Sequence, residues 1–187
     1  MLGSQEIWFL HMSQRGFSLL ELMVGLTILG FAVSMAIPSY MQWTQNTYIR
    51  NATEGVLNGL QQARSLALQR NTRVQFVVAA DSAWTIRLEP PAATVLESRL
   101  AGEGVRNVIV RPTLTDGSAS APAIVTFDGI GRRIGANEDG SLPISEVGVD
   151  STVLAAADSR DLRVTIGAGG QVRMCDSNAI AGDPRAC

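Results

Sequence analysis

The hydropathy pattern divides the chain into three stretches. Residues 17–37, FSLLELMVGLTILGFAVSMAI, form a run of 21 positions that is apolar except for small polar residues and one acid, Glu21. About 20 helical residues at roughly 1.5 Å each cover the ~30 Å hydrocarbon core of a bilayer, so the run predicts one membrane-spanning helix. Beyond Pro38 the period is helical and two-faced. Tyr48, Ala52, Val56, Gly59, Leu60, Ala63 and Ala67 recur at spacings of three and four, and Arg50, Glu54, Asn58, Gln61, Gln62, Ser65 and Gln69 take the opposite side. Residues 38–70 are therefore expected to be the amphipathic half of the same long helix. From Thr72 the pattern turns to period two and β-branched residues, which predicts strands at 73–78, 83–88, 94–98, 107–110, 124–127 and 162–166. Asp81-Ser82, Pro90-Pro91, Gly102-Glu103-Gly104, Asp116-Gly117, Asp128-Gly129 and residues 167–170 supply the breaks, and residues 135–150 read as a longer exposed loop. The expected fold is α+β: a long N-terminal helix packed on a mostly antiparallel β-sheet head at residues 71–187.

Arg15 precedes the apolar run, which favours a cytoplasmic N-terminus and a head on the far side of the membrane. A cleaved secretory signal is the rival reading. The run is long for a signal core, however, and the residues at its end, Ile37-Pro38-Ser39-Tyr40, offer no small-x-small cleavage site. Glu21 is the anomaly within the run. A carboxylate in hydrocarbon costs roughly 2.5–3.5 kcal/mol by insertion scales, so it needs a partner, or it must snorkel or protonate. Cutting after Gly16 creates an α-amino group on Phe17, about one helical turn from Glu21. In a packed filament the carboxylate can instead meet the amine of a neighbouring subunit, offsetting the burial of both charges.

Arg15-Gly16-Phe17-Ser18-Leu19-Leu20-Glu21-Leu22-Met23-Val24 resembles the prepilin motif of type IV pilins and type II secretion pseudopilins. The resemblance implies cleavage between Gly16 and Phe17 by a prepilin peptidase, methylation of the new N-terminus, and a role for Glu21, fifth in the mature chain, in docking subunits. It makes residues 1–16 a leader, and Pro38 falls where pilins commonly carry a helix-weakening proline. Such leaders are usually short and basic, whereas the first ten residues here include Glu6, Ile7, Trp8, Phe9 and Leu10; initiation at Met12 gives a leader of the usual kind.

Composition narrows the chemistry further. The formal charge of −2 gives no polyelectrolyte argument for the molecule as a whole. Its 15 basic residues are all arginine, so no lysine is present to form a Schiff base or cradle a phosphate, and Gly167-Ala168-Gly169-Gly170 reads as a hairpin turn. The single histidine, His11, falls within the expected leader, leaving the mature chain without an imidazole for triads or metal ligation. The acids are scattered along loops, so the chain is expected not to be an enzyme and to need no cofactor or metal. Cys175 and Cys187 lie near the C-terminus with no histidine nearby. A disulfide closing a polar tail is the natural reading in an oxidising compartment, with two free cytosolic thiols as the alternative.

Val125-Thr126-Phe127-Asp128-Gly129 with Gly131-Arg132, the run from Gly170 to Asp176, and the two terminal cysteines are similar to the minor pilins of the FimT/FimU group, which share a fold with the secretion pseudopilin GspH. The resemblance implies a pilin-like fold and a minor pilin of a type IV pilus, held in the bacterial inner membrane with its head in the periplasm and then carried on a cell-surface filament with other pilins. A GspH-like pseudopilin of a type II secretion system is the alternative. Some members of the group bind DNA through a C-terminal Gly-Arg-x-Arg element; here Gln171 stands at the first arginine and Arg173 at the second. Arg160, Arg163, Arg173 and Arg185, with Arg132 and Arg133 as a second group, are accordingly the candidates for non-specific contact with double-stranded DNA, since the planar guanidinium fork suits phosphate. Asp158, Asp161, Asp176 and Asp183 are interleaved with them.

Overall fold

The computed structural model describes residues 16–180 and 182–187. The expectations for Arg15, His11, a start at Met12 and the body of the leader lie outside the described residues. The chain divides between Ser39 and Tyr40 into two compact units, Met1–Ser39 and Tyr40–Cys187.

The helix α1 (Leu19–Arg70) runs for 52 residues with Pro38 inside it. Ser18 caps its start: Oγ accepts the N–H of Glu21 at 3.1 Å, and the Ser18 carbonyl accepts the N–H of Leu22 at 3.2 Å. That is the N-cap pattern, and it places Phe17 just outside the helix rather than in its first turn. In the first unit all described residues, 16–39, are exposed. An unbroken apolar surface of this kind is stable in lipid or against other apolar helices, and not in water.

In the second unit α1 buries Gln45, Ile49, Ala52, Thr53, Val56, Gly59, Leu60, Ala63 and Ala67. The expected stripe is therefore present, with Ile49 buried where Tyr48 is only half-buried. Two polar residues enter the stripe because their groups find partners. Thr53 Oγ1 donates to the Ile49 carbonyl at 2.8 Å, and Gln45 Nε2 donates to the carbonyls of Arg106 and Asn107 at 2.8 and 3.0 Å.

Eight strands come after the helix: β1 (Val74–Val78), β2 (Trp84–Leu88), β3 (Val95–Arg99), β4 (Val108–Leu114), β5 (Ala123–Phe127), β6 (Ile144–Ser151), β7 (Leu162–Ile166) and β8 (Val172–Asp176). They form two antiparallel sheets, ordered β3-β2-β1-β5 and β4-β6-β7-β8. Both sheets and the helical stripe share one core. Phe76, Ile86, Val125 and Phe127 come from the first sheet, Val110, Ile144, Val147, Val149 and Val164 from the second.

The expected exposed loop at 135–150 is a correction: its second half is β6, an interior strand of the second sheet. Ile144, Val147 and Val149 are fully buried there, but the interval from Ile144 to Val147 is three residues. A bulge makes up the difference, since Thr113 pairs with Glu146 while its neighbour Leu114 pairs with Ile144. One extra residue in a strand throws the inward positions out of phase, and with Pro143, Gly148 and Asp150 around it the segment imitates a loop. β8 is also an addition. β4 extends four residues past its expected end through Pro112, which an edge strand tolerates because it needs no N–H on its outer side.

The helix lies close on the first sheet. A Cβ at Gly59 would approach Phe76 Cε2 to 2.8 Å, and Phe76 in turn packs on Trp84 with ring centroids 5.7 Å apart. At the far end of the helix the turn after β7 meets the turn after β5. Gly170 has φ +77°, and a Cβ there would fall 1.9 Å from the Gly131 carbonyl oxygen. Arg64 Nε donates to that same carbonyl at 2.9 Å, and the Arg133 N–H donates to the Ala168 carbonyl at 3.2 Å.

Candidate functional site

The first candidate region is the start of α1. Gly16 and Phe17 precede the cap in non-helical backbone, both exposed, and Glu21 stands in the first helical turn, also exposed. A carboxylate in the first turn complements the positive end of the helix dipole. Ser18 reads in the sequence as one more small polar residue of the apolar run, and in the fold it is the cap. The spacing Ser-x-x-Glu at 18–21 is the signal that identifies it, and the N–H it engages is that of Glu21 itself.

The second region comprises the arginines, which the fold does not gather into one patch. Arg160 and Arg185 line a hollow of about 170 Å³ together with Arg50 and Asp176. Arg132 and Arg133 line another with Arg73 beside the Ala168-Gly169 turn. Arg163 lies on the outer face of the second sheet, where Arg111 and Arg163 flank Gly148 across three strands. Arg173 reaches the C-terminal tail, donating from Nη2 to the Ala186 carbonyl at 3.2 Å. Arg50 was hidden in the sequence, where it reads as one more solvated charge on the polar side of the helix.

Several of these guanidiniums are already engaged. Arg185 holds Asp183 by two parallel bonds of 3.1 and 2.8 Å, and its side chain is the chief cause of an Asp183 carboxyl pushed down to about 2. Arg163 bonds Asp161 at 3.0 Å and Glu146 at 2.9 Å. Arg132 bonds Asp128 at 3.1 Å; burial works against that carboxylate, but the N–H groups of Arg132 and Ile130 and the Arg132 guanidinium outweigh it and hold the group below the usual range. Arg133 donates to the Ile144 carbonyl at 3.1 Å and so serves β6. Ion pairs at the surface are screened by solvent and weak, so a phosphate can compete for their arginines at little cost. Gln171 folds over the turn before it: a Cβ at Gly167 would come within 2.2 Å of its Nε2.

The third region is the tail. Cys175 in β8 and Cys187 form a disulfide, and neither described cysteine is free. The Asp176 N–H donates to the Arg185 carbonyl at 2.7 Å, and Asp176 forms a parallel bridge with Ala186, so the tail meets the open edge of β8 at its C-terminal end. Among the described residues no three His, Cys, Asp or Glu side chains gather where they could hold a metal ion.

Among the described residues, one long helix, apolar in its first part, precedes a head of two antiparallel sheets. Residues 11–37 match the prokaryotic N-terminal methylation motif, and residues 52–170 match the family described as type II transport protein GspH; the chain belongs to that family. Against two crystal forms of the type IV minor pilin FimU from Pseudomonas aeruginosa the TM-scores are 0.49 and 0.44, each at 14% identity. The alignments cover 73% and 70% of this chain and 95% and 94% of FimU.

Proposed function

We propose that this chain is a minor pilin of a type IV pilus. In this reading prepilin peptidase cuts between Gly16 and Phe17 and the new N-terminus is methylated. The first unit holds the subunit in the inner membrane with its head in the periplasm until it joins other pilins. The observation that carries it is a helix exposed along residues 19–39, bearing one acid in its first turn, attached to a head whose own core is complete. The apolar surface requires lipid before assembly and neighbouring helices after it, and Glu21 requires a cation wherever water is absent. Mass spectrometry of the membrane form is the test, with N-methylated Phe17 as the expected N-terminus. A full-length precursor in wild-type cells overturns the reading.

The pseudopilin of a type II secretion system shares all of this physics. The disulfide-closed tail supports the pilus reading, because it gives the head an edge finished for exposure outside the cell. Piliation of a strain lacking this chain separates the two: loss of filaments with secretion intact supports the pilus.

DNA contact is a second reading, favoured by the hollow where Arg50 joins Arg160 and Arg185. Three guanidiniums around one opening suit a duplex backbone without sequence preference. Log affinity is then expected to fall against log salt with a slope near −2.7 for three neutralised phosphates, at about −0.9 each. Titration of short duplexes against Arg50→Ala, Arg160→Ala and Arg185→Ala tests it, each variant flattening the slope by about one unit. Binding unaltered in all three removes this reading.

A further inference from the structure

The geometry points to a membrane-resting foot on the head: Tyr40, Met41 and Trp43 on α1, together with the apolar loop at residues 152–157, bind the headgroup layer of the bilayer that the N-terminal run spans. The inference rests on the membrane anchoring proposed above.

Tyr40, Met41 and Trp43 are 66%, 64% and 66% exposed, and the rings of Tyr40 and Trp43 lie 6.1 Å apart. Val153, itself 61% exposed, and Leu154 face Tyr40, Met41 and Thr44 across a hollow of about 250 Å³. The loop reads Thr152-Val153-Leu154-Ala155-Ala156-Ala157, six residues without a charge, of which only Leu154 is partly covered. Loops facing water ordinarily carry polar residues, so this composition requires an explanation.

The one acid that closes the loop, exposed Asp158, is tied back to the helix. Gln42 Nε2 donates to the Asp158 carbonyl and to Asp158 Oδ1 at 3.3 and 3.2 Å, and Asn46 Nδ2 donates to the same carbonyl at 3.0 Å. The Arg160 N–H returns a bond to Asn46 Oδ1 at 2.9 Å. These bonds hold the loop beside the helical turn that bears Tyr40 and Trp43. On the other flank the bonds from Gln45 fix the segment carrying exposed Arg106, a cation at the rim of the apolar surface.

Chain length selects lipid as the occupant. Tyr40 lies three residues beyond Ile37, the last residue of the apolar run. Three residues reach roughly 10 Å even when fully extended and about 4.5 Å as helix, whatever direction the head takes. Each headgroup layer is ~5–8 Å deep, so Tyr40 cannot leave its neighbourhood, and tyrosine and tryptophan prefer that layer. An uncharged apolar face rimmed by a cation is the chemistry of interfacial binding to anionic lipid.

The test uses the full chain in vesicles of phosphatidylethanolamine and phosphatidylglycerol, with a nitroxide on Val153→Cys or, as the control, on Ala168→Cys in the turn at the opposite end of β7. The native disulfide leaves the introduced thiol as the only one to label. Collision with a water-soluble nickel chelate is expected to be several-fold lower at 153 than at 168, with oxygen collision higher at 153. Placing Asp at Leu154 in the Val153→Cys chain is expected to abolish the difference. Equal nickel access at the two sites overturns the foot. Protection at 153 accompanied by spin–spin broadening between copies, which disappears on dilution with unlabelled chain, also overturns it by assigning the face to a second copy. Vesicle flotation, read in the same samples, is the separate measure of anchoring: protein that does not float refutes the anchoring itself.

Discussion

Replacing Gly170 with alanine is the sharpest test of how the head is held at its far end. Gly170 and Gly117 have similar φ, +77° and +85°, yet a Cβ at Gly117 meets nothing within 4 Å while one at Gly170 lands 1.9 Å from the Gly131 carbonyl oxygen. Alanine at either site incurs the left-handed strain of about 1–2 kcal/mol, partly offset by the stiffer unfolded chain, which leaves a net cost near 1 kcal/mol. Only at Gly170 must two turns also separate. That separation breaks the Arg64 bond to the Gly131 carbonyl and the Arg133 N–H bond to the Ala168 carbonyl, each worth about 1 kcal/mol. The expected losses are thus about 1 kcal/mol for Gly117→Ala and about 3 kcal/mol for Gly170→Ala, of a total that for such domains is ~5–15 kcal/mol. Urea unfolding of the Tyr40–Cys187 unit, followed by far-ultraviolet circular dichroism, measures both. Values for the two variants within about 0.5 kcal/mol of each other would refute the close approach as an energetic feature.

Glu21→Ala is expected to leave membrane insertion intact or improved and to impair incorporation into filaments; normal piliation removes the pairing argument. Reducing the Cys175–Cys187 bond is expected to destabilise the head by roughly 3 kcal/mol on the chain-entropy account, read as a shift in urea midpoint under reductant. Asp150 contributes to the acid limb. Burial opposes its ionisation, but the Ser159 hydroxyl, the Ser151 N–H and Arg111 outweigh that and hold its pKa below the ordinary value. A depressed carboxyl stabilises the fold above its unfolded value near about 4, and that contribution is lost as pH falls through the lower folded value. Asp150→Asn is therefore expected to flatten the decline of stability below about pH 4, and an unchanged acid limb counts against this assignment.

The helix and most strands were legible because their signals are local. The stripe from Ala52 to Ala67 and the runs at β1, β2 and β7 carry their own periods, and Asp-Gly and Gly-rich dipeptides mark the turns between them. β6 was not legible, because its phase is corrected by a bulge whose other side is Leu114, thirty residues earlier in the chain. The prepilin segment was read from contiguous residues, and the disulfide from two cysteines 12 apart with no histidine beside them. The arginine surfaces were not: Arg50 and Arg185 are brought to one hollow only by the path of the tail, and the bonds of Arg163 to Glu146 depend on the register of β6 and β7. Local chemistry identifies which residues are available, and register decides which of them meet.

One end of the edge strand of the second sheet, at Asp176, is held by the residues that follow it, Arg185 and Ala186, rather than by another strand. Its latch is one covalent bond between buried Cys175 and exposed Cys187, so two electrons suffice to open it. Once it is open, the backbone at Asp176 is freed as well, and an edge of this kind is what recruits further strands. The redox state of its surroundings therefore sets how much of this corner of the sheet is hemmed, and an oxidising compartment keeps the selvedge stitched.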